Sequence, residues 1–418
     1  MRVFEPRITE QGDQIQVSAR VEINSSSTEF PETLWFSFAD RYRHQVTDHL
    51  NGFAVALVPL AMTLGENLQV EGVLSPRLLR GLEEYQRIQC TWEPTRFKPI
   101  EIEPDTVQPT NRNHTETGVG CTFSGGVDSA FTLWRHLPQN ERNHRYRISH
   151  CLMINGFDCD SDLDNTGSFA RIQQAYEPMM KRLGVDLVVC RTNYMAFSDP
   201  RILKHSFGAM VTSPALILER LFSCFFIASS YRFDDFLRDG SHLLLDHLIA
   251  TESMETVHDS SHLRRPEKTK VISQWSETYS TLRVCFNNTG FREETQSIEN
   301  CGICEKCIRT MATLDLCGAL DRYTVFPKAL RHLDTWRCYY GTKGSRAHPQ
   351  EVISEAWKLR RFDVLIDFSL AVVISMVIRV PRELIRRVHL HLEERSETYA
   401  TLIRRLLPRL RRRARWIR

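Results

Sequence analysis

The chain has 418 residues, 42% of them hydrophobic and 25% charged, and its 19 glycines and 17 prolines are too few for a fibrous or low-complexity protein. At roughly 150 residues per domain, this length allows two or three domains and a core that needs no staples. The net charge of +3 is uneven: residues 355–418 hold 16 Lys/Arg against 7 Asp/Glu, so this +9 leaves −6 on the first 354 residues.

No run approaches the roughly 18 uncharged apolar residues of a spanning helix. The longest, Phe368 to Ile378, lies between Asp367 and Arg379. The N-terminal residues lack the apolar run of a secretory signal, so the expectation is a cytoplasmic chain whose twelve cysteines serve as thiols or metal ligands.

In chain order, Ile15, Val17, Ala19, Val21 and Ile23 alternate with polar neighbours, the period of a half-buried strand, and a second strand is expected over Leu34 to Phe38. Ser75-Pro76 supplies an N-cap and a first-turn proline. Leu78, Leu79, Leu82, Tyr85 and Ile88 then mark an amphipathic helix to Trp92. Residues 1–104 thus read as a small α+β accessory domain without a chemical constellation. Residues 105–118 read as a linker, with Val107 as their single large apolar residue. From Val119 the pattern alternates: a strand to Phe123, a helix from Val127, a strand at Ile148 to Asn155, a helix around Ala170 to Leu183, a strand at Asp186 to Cys190, and a helix before the apolar run Cys224 to Ser229. Such alternation predicts an open α/β sheet of parallel strands with its ligand crevice at their carboxyl ends, over residues 119–330. Residues 331–418 are expected to form a helical region with a basic tail.

Ser124-Gly125-Gly126-Val127-Asp128-Ser129 stands at the first strand-to-helix turn of that pattern. Two glycines there let backbone amides approach an anion. Ser124 and Ser129 add hydroxyl donors, and the helix N-terminus adds partial positive charge. Asp128 suits Mg²⁺ held against phosphate oxygens. The chain contains no G-x-x-x-x-G-K-[ST] loop, and Gly118-Val119-Gly120 lacks the third glycine of a dinucleotide fingerprint. The plain alternative is a tight turn with a solvated aspartate.

Cys301, Cys304 and Cys307 follow C-x2-C-x2-C spacing, with Gly302 permitting the tight turn. A fourth thiolate closes a tetrahedral zinc site, and Cys285 suits that role better than Cys317, which lies in the apolar run Met311 to Leu320. The same spacing can hold an iron–sulfur cluster, so that alternative stays open.

The phosphate loop resembles the PP-loop of the N-type ATP pyrophosphatases, which have an adenine nucleotide alpha hydrolase-like fold. The order of that loop, Arg265-x-x-Lys268, Cys285 and the Cys301–Cys307 knuckle resembles the 7-cyano-7-deazaguanine synthase family over about half of the chain, Val119 to Leu320. This family amidates a carboxylate through an adenylate and dehydrates the product. The resemblance implies ATP held by Ser124, Gly125, Gly126, Val127, Asp128 and Ser129, zinc held by Cys285, Cys301, Cys304 and Cys307, and Asp128, Arg265 and Lys268 at the reacting phosphates. The family's Tyr-Pro-Asp-Cys-Arg segment is replaced by Tyr231 to Leu248, which points to a different acceptor.

His242, His247, His258 and His262 lie among Asp246, Glu252 and Asp259. His242 and His247 are five apart and share no helix face, so solvated or substrate-lining roles are favoured over a second metal site. Asp158, just past the second strand of the α/β region, is positioned to contact a ribose or substrate. The segment Leu402 to Arg418 carries eight arginines and no acid, which suits RNA or an anionic membrane surface. The expectation is therefore a ligase-like enzyme that uses ATP, Mg²⁺ and Zn²⁺ to adenylate a carboxylate acceptor before nitrogen attack, with a homodimer allowed. Sulfur transfer to tRNA and a non-enzymatic nucleotide sensor or nucleic-acid adaptor are the alternatives.

Overall fold

Buried residues at every second position set the first strands. In the computed structural model, which describes residues 1–24, 30–111, 117–157, 166–199, 202–235, 237–285, 291–292, 297–326, 330–331, 334–338, 340 and 343–393, the chain forms two compact units, Met1–Arg264 and Arg265–Arg418. The first begins with β1 (Arg2–Phe4), β2 (Arg7–Gln11), β3 (Gln14–Glu22) and β4 (Thr33–Ala39), and the expected alternation holds in β3, where Ile15, Val17, Ala19 and Val21 are buried. Helix α1 (Asn51–Leu64), β5 (Leu68–Leu74), α2 (Pro76–Trp92) and β6 (Ile102–Val107) follow. The Ser75 hydroxyl accepts from Leu78 N at 3.0 Å, and the Glu252 carboxylate accepts from Arg77 N at 2.9 Å. Both caps match the positive end of the α2 dipole.

The α/β part contains β7 (Gly118–Thr122), α3 (Val127–Arg135), β8 (His150–Asn155), α4 (Thr166–Leu183), β9 (Asp186–Thr192), α5 (Phe207–Ile217), β10 (Phe222–Ala228) and β11 (Glu255–Asp259). Among the described residues, eleven strands form one sheet in the order β11-β10-β7-β8-β9-β4-β3-β1-β5-β6, with β2 beside β3. Strands β11, β10, β7, β8 and β9 pair parallel, as the alternation predicted. From β7 the chain lays β8 and β9 on one side, then returns to place β10 and β11 on the other. The strand order therefore reverses at β7, and the crevice of an open α/β sheet lies at the carboxyl end of such a strand.

Three expectations about organisation meet different facts. Strand β4 pairs antiparallel with β9, Phe36 opposite Thr192, so the N-terminal strands and the parallel strands belong to one sheet. The cuts expected at 104, 118 and 330 do not coincide with the division after Arg264. Residues 105–107 of the expected linker are strand, because β6 adds in parallel to β5; residues 112–116 lie outside those described.

Asp259, at the end of β11, joins that strand to α3. It accepts from Thr132 Oγ1 at 2.7 Å and lies 3.2 Å from Arg135 Nη1 and 3.3 Å from His136 Nε2. Burial alone raises its carboxyl, but the His136, Ser260 and Arg135 interactions bring it down to about 2. The folded-state value lies below the unfolded one, so this stabilisation is present above about pH 4 and is lost as the pH falls toward 2.

The second unit contains α6 (Arg265–Ile272), a short hairpin of β12 (Phe291–Arg292) and β13 (Ser297–Ile298), α7 (Glu305–Leu316), α8 (Lys343–Lys358) and α9 (Phe362–Glu393). Its core gathers Ile308, Ala312, Tyr340, Val352, Ala356 and Phe368.

Asp259→Asn should lower stability by about 2 kcal/mol near neutral pH. In urea titrations followed by tryptophan fluorescence, the gap from the wild-type chain should be widest at pH 7 and narrow below pH 4. An equal gap at every pH would show that the carboxylate's charge is not what stabilises the junction.

Candidate functional site

The six residues of the glycine loop lie at the strand-order reversal. Phe123 N extends the β7–β8 ladder by donating to Leu152 O at 2.9 Å, and the chain leaves the sheet at Ser124. Gly125 takes φ +76°, and a Cβ built on it would stand 1.6 Å from Tyr176 Oη, so conformation and space both require glycine. Tyr176, fully buried on α4, packs edge-on to Phe123 with ring centroids 5.0 Å apart.

Gly126 is the N-cap of α3, and its carbonyl accepts from Ala130 N at 2.9 Å. The Ser129 hydroxyl donates to Gly126 O at 3.2 Å and accepts from Ser124 N at 3.3 Å. Ser124 Oγ accepts from Gly126 N at 3.4 Å. The turn is thus held by two hydroxyls of its own. First-turn amides of a helix have no intrahelical carbonyl, so the start of α3 suits an anion. Val127 and Ser129 are buried, while Asp128 is half-buried in the first turn.

Two members of the histidine and acid group named in the sequence, His258 and Asp246, pair at the same sheet edge. His258 Nδ1 lies 2.7 Å from Asp246 Oδ2, and Ser241 Oγ donates to the same oxygen at 2.8 Å. Asp246 is fully buried. His258 pairs in register with Ile227 of β10, one residue beyond the Phe226–Cys121 pair of β10 and β7. Two strand spacings place it about 10 Å across the sheet from the end of β7. A histidine held through Nδ1 by a carboxylate presents Nε2 for proton transfer. His242 lies beside it, ring centroids 6.4 Å apart, and burial pushes the His242 imidazole pKa down. His247 and His262 are exposed. Glu252 caps α2 and Asp259 joins β11 to α3, so each of these acids has a structural partner. Asp158 and the segment Leu402–Arg418 lie outside the described residues.

The second unit brings together all four expected cysteines. The Sγ atoms of Cys285, Cys301, Cys304 and Cys307 lie within 4.8 Å of one another, and among the described residues they are the one group of His, Cys, Asp or Glu able to share an ion. Cys304–Cys307 and Cys301–Cys307 Sγ separations are 3.4 and 3.8 Å. Gly302 takes φ +66° in the knuckle, and α7 begins directly after Cys304. Hydrogen bonding with the Cys304 thiol, together with burial, pushes Cys285 up to about 11. The Cys285 and Cys304 thiols push Cys307 up as well. Four thiolates at this separation need a cation, and the donor set fits a soft divalent ion.

Asn300, which precedes the knuckle, positions the remote ligand. Its buried Oδ1 accepts from Val284 N at 2.8 Å and Cys285 N at 3.1 Å, and its Nδ2 donates to Leu282 O at 2.8 Å. An asparagine one residue before a metal knuckle was the available signal in the sequence. Cys317 lies outside the group, half-buried at the end of α7.

Arg265 and Lys268 belong to the unit that carries the cysteines, not to the one that carries the loop. Arg265 opens α6, and Lys268 is 1% exposed, which excludes a solvated surface lysine. Burial holds the Glu305 carboxyl above its usual range, with Arg309 and Arg265 opposing that push.

No protein-family model, curated protein or solved structure matches the chain.

Asn300→Ala removes the side-chain hydrogen bonds to Val284 N, Cys285 N and Leu282 O behind the cysteine group and should weaken metal binding by roughly 10–100-fold, the usual effect of losing a ligand's supporting partner. Competition with a chromophoric chelator measures this. Unchanged affinity would show that Cys285 holds its place without Asn300.

Proposed function

We propose that the chain is an ATP pyrophosphatase of ligase type, similar in chemistry to the 7-cyano-7-deazaguanine synthases and acting on a different acceptor. The observation that supports this reading is the place of the Ser124–Ser129 loop: a glycine-dependent turn and a helix N-terminus at the strand where the sheet order reverses.

In this reading the loop amides and the Ser124 and Ser129 hydroxyls hold the β and γ phosphates as a leaving unit. The α-phosphorus is then open to an acceptor carboxylate oxygen. That oxygen forms the new P–O bond, the α–β bridging bond breaks, and pyrophosphate departs. A nitrogen nucleophile next attacks the acyl carbon and expels AMP. Asp128 would hold Mg²⁺, which neutralises charge on the departing pyrophosphate.

Zinc is the proposed occupant of the cysteine group. Zn–S bonds of about 2.3 Å put tetrahedral sulfurs about 3.8 Å apart, near the 3.4 and 3.8 Å separations observed. Thiolates bound to different irons of a cluster stand farther apart. Four thiolates leave no open position, so the ion would be structural.

With ATP, Mg²⁺ and an acceptor-containing extract, the nucleotide products should be AMP and pyrophosphate by ³¹P NMR. Asp128→Asn should slow turnover on the order of a hundredfold with the fold retained. Gly125→Ala should abolish nucleotide binding, because its methyl meets Tyr176. ADP as the main product, or turnover indifferent to Asp128, contradicts the adenylation reading. Purified protein should hold about one zinc per chain, and Cys304→Ser should lose both metal and stability. Stoichiometric iron with acid-labile sulfide would replace the zinc assignment and favour sulfur transfer.

A further inference from the structure

Helix α9 has two apolar faces, and only one of them is buried. Val364, Phe368 and Ala371 pack into the core of the second unit. Between Phe362 and Val377 the helix also exposes Phe362 (53%), Ile366 (52%), Leu370 (41%), Val373 (55%), Met376 (39%) and Val377 (65%), with Asp363 as the one polar residue among its exposed positions there. Spacings of three and four place these six on one side of the helix. Trp357, 66% exposed, stands edge-on to Phe362 with centroids 6.2 Å apart and extends the stripe at its start. A continuous apolar stripe of this length marks a partner surface.

The sequence that follows identifies the partner. From Ile378 to Arg418 there are thirteen arginines against four glutamates, a net +9. Along the same stretch Val380, Leu384 and Val388 keep the apolar spacing, with Arg379, Arg382 and Arg386 between them. A nucleic acid would take the arginines but has no use for an aliphatic stripe. A second copy in parallel register would set +9 against +9. An anionic membrane accepts both features, the stripe in the acyl boundary and the guanidinium groups at the headgroup phosphates. Among the described residues no helix is long and apolar enough to cross a membrane, so the fitting geometry is a helix lying in the interface.

We propose that α9, through its exposed apolar stripe, binds the surface of a membrane rich in anionic lipid. Full-length protein should float with vesicles of phosphatidylcholine containing about one third phosphatidylglycerol, and not with phosphatidylcholine alone. The double variant Ile366→Glu/Val373→Glu should lose at least about tenfold in vesicle affinity, since two apolar side chains no longer enter the bilayer. Both positions are exposed, so circular dichroism and metal content should match the wild-type protein. Three results would overturn the proposal: no flotation of the wild-type chain, equal flotation of the double variant, or a dimer in light scattering that the double variant dissolves while flotation persists. Binding to RNA at the expense of vesicles would likewise assign the arginines to a nucleic acid. None of these measurements depends on ATP turnover.

Discussion

The reversal of strand order at β7 is the constraint on which the first unit depends. Because β8 and β10 flank β7 in parallel, the connections at the carboxyl edge diverge from that strand and leave the glycine loop at the parting. The loop is not self-supporting. Its conformation at Gly125 is closed off by Tyr176 from α4, and α3 is tied to β11 through Thr132, Arg135 and His136 on Asp259. A local motif therefore acquires a defined shape from two elements remote in sequence, α4 and β11. The buried Asp246 and its partner His258 stand at the same edge of the sheet.

In the second unit the corresponding constraint is electrostatic. Four thiol groups within 4.8 Å resist ionisation together, and a divalent cation would convert that repulsion into a cross-link between Cys285 and the knuckle. Asn300 reduces the entropy of that closure by holding the Cys285 backbone in place before any metal arrives. Since α7 starts at the knuckle, an ion held there would also fix the helix that carries Ile308 and Ala312 into the core. The face of α9 opposite that core is then left for the solvent side.

Much of this was legible in the sequence wherever the information is local. The alternation in β3, the Ser75-Pro76 start of α2, the β/α succession after Val119, the glycine loop and the cysteine spacing all depend on neighbours a few residues apart, and backbone sterics and side-chain period suffice to read them. Helix α1 escaped because twelve of its fourteen residues are buried, which removes the one-sided pattern that marks a surface helix. The depth of Lys268, 1% exposed, is set by tertiary packing and was not written in its neighbours. The pairing of β4 with β9, held also by Trp35 N donating to Asn193 Oδ1 at 2.9 Å, joins residues 158 apart in the chain. The Asp246–His258 contact and the Asn300 brace likewise appear only when distant segments meet. The sequence by itself determined which short segments become strands, turns and ligand groups, because those preferences are set by adjacent residues. Which strands became neighbours, and so where the loop and the histidine stand, was decided by the tertiary structure, because burial and hydrogen-bond satisfaction are summed over the whole sheet.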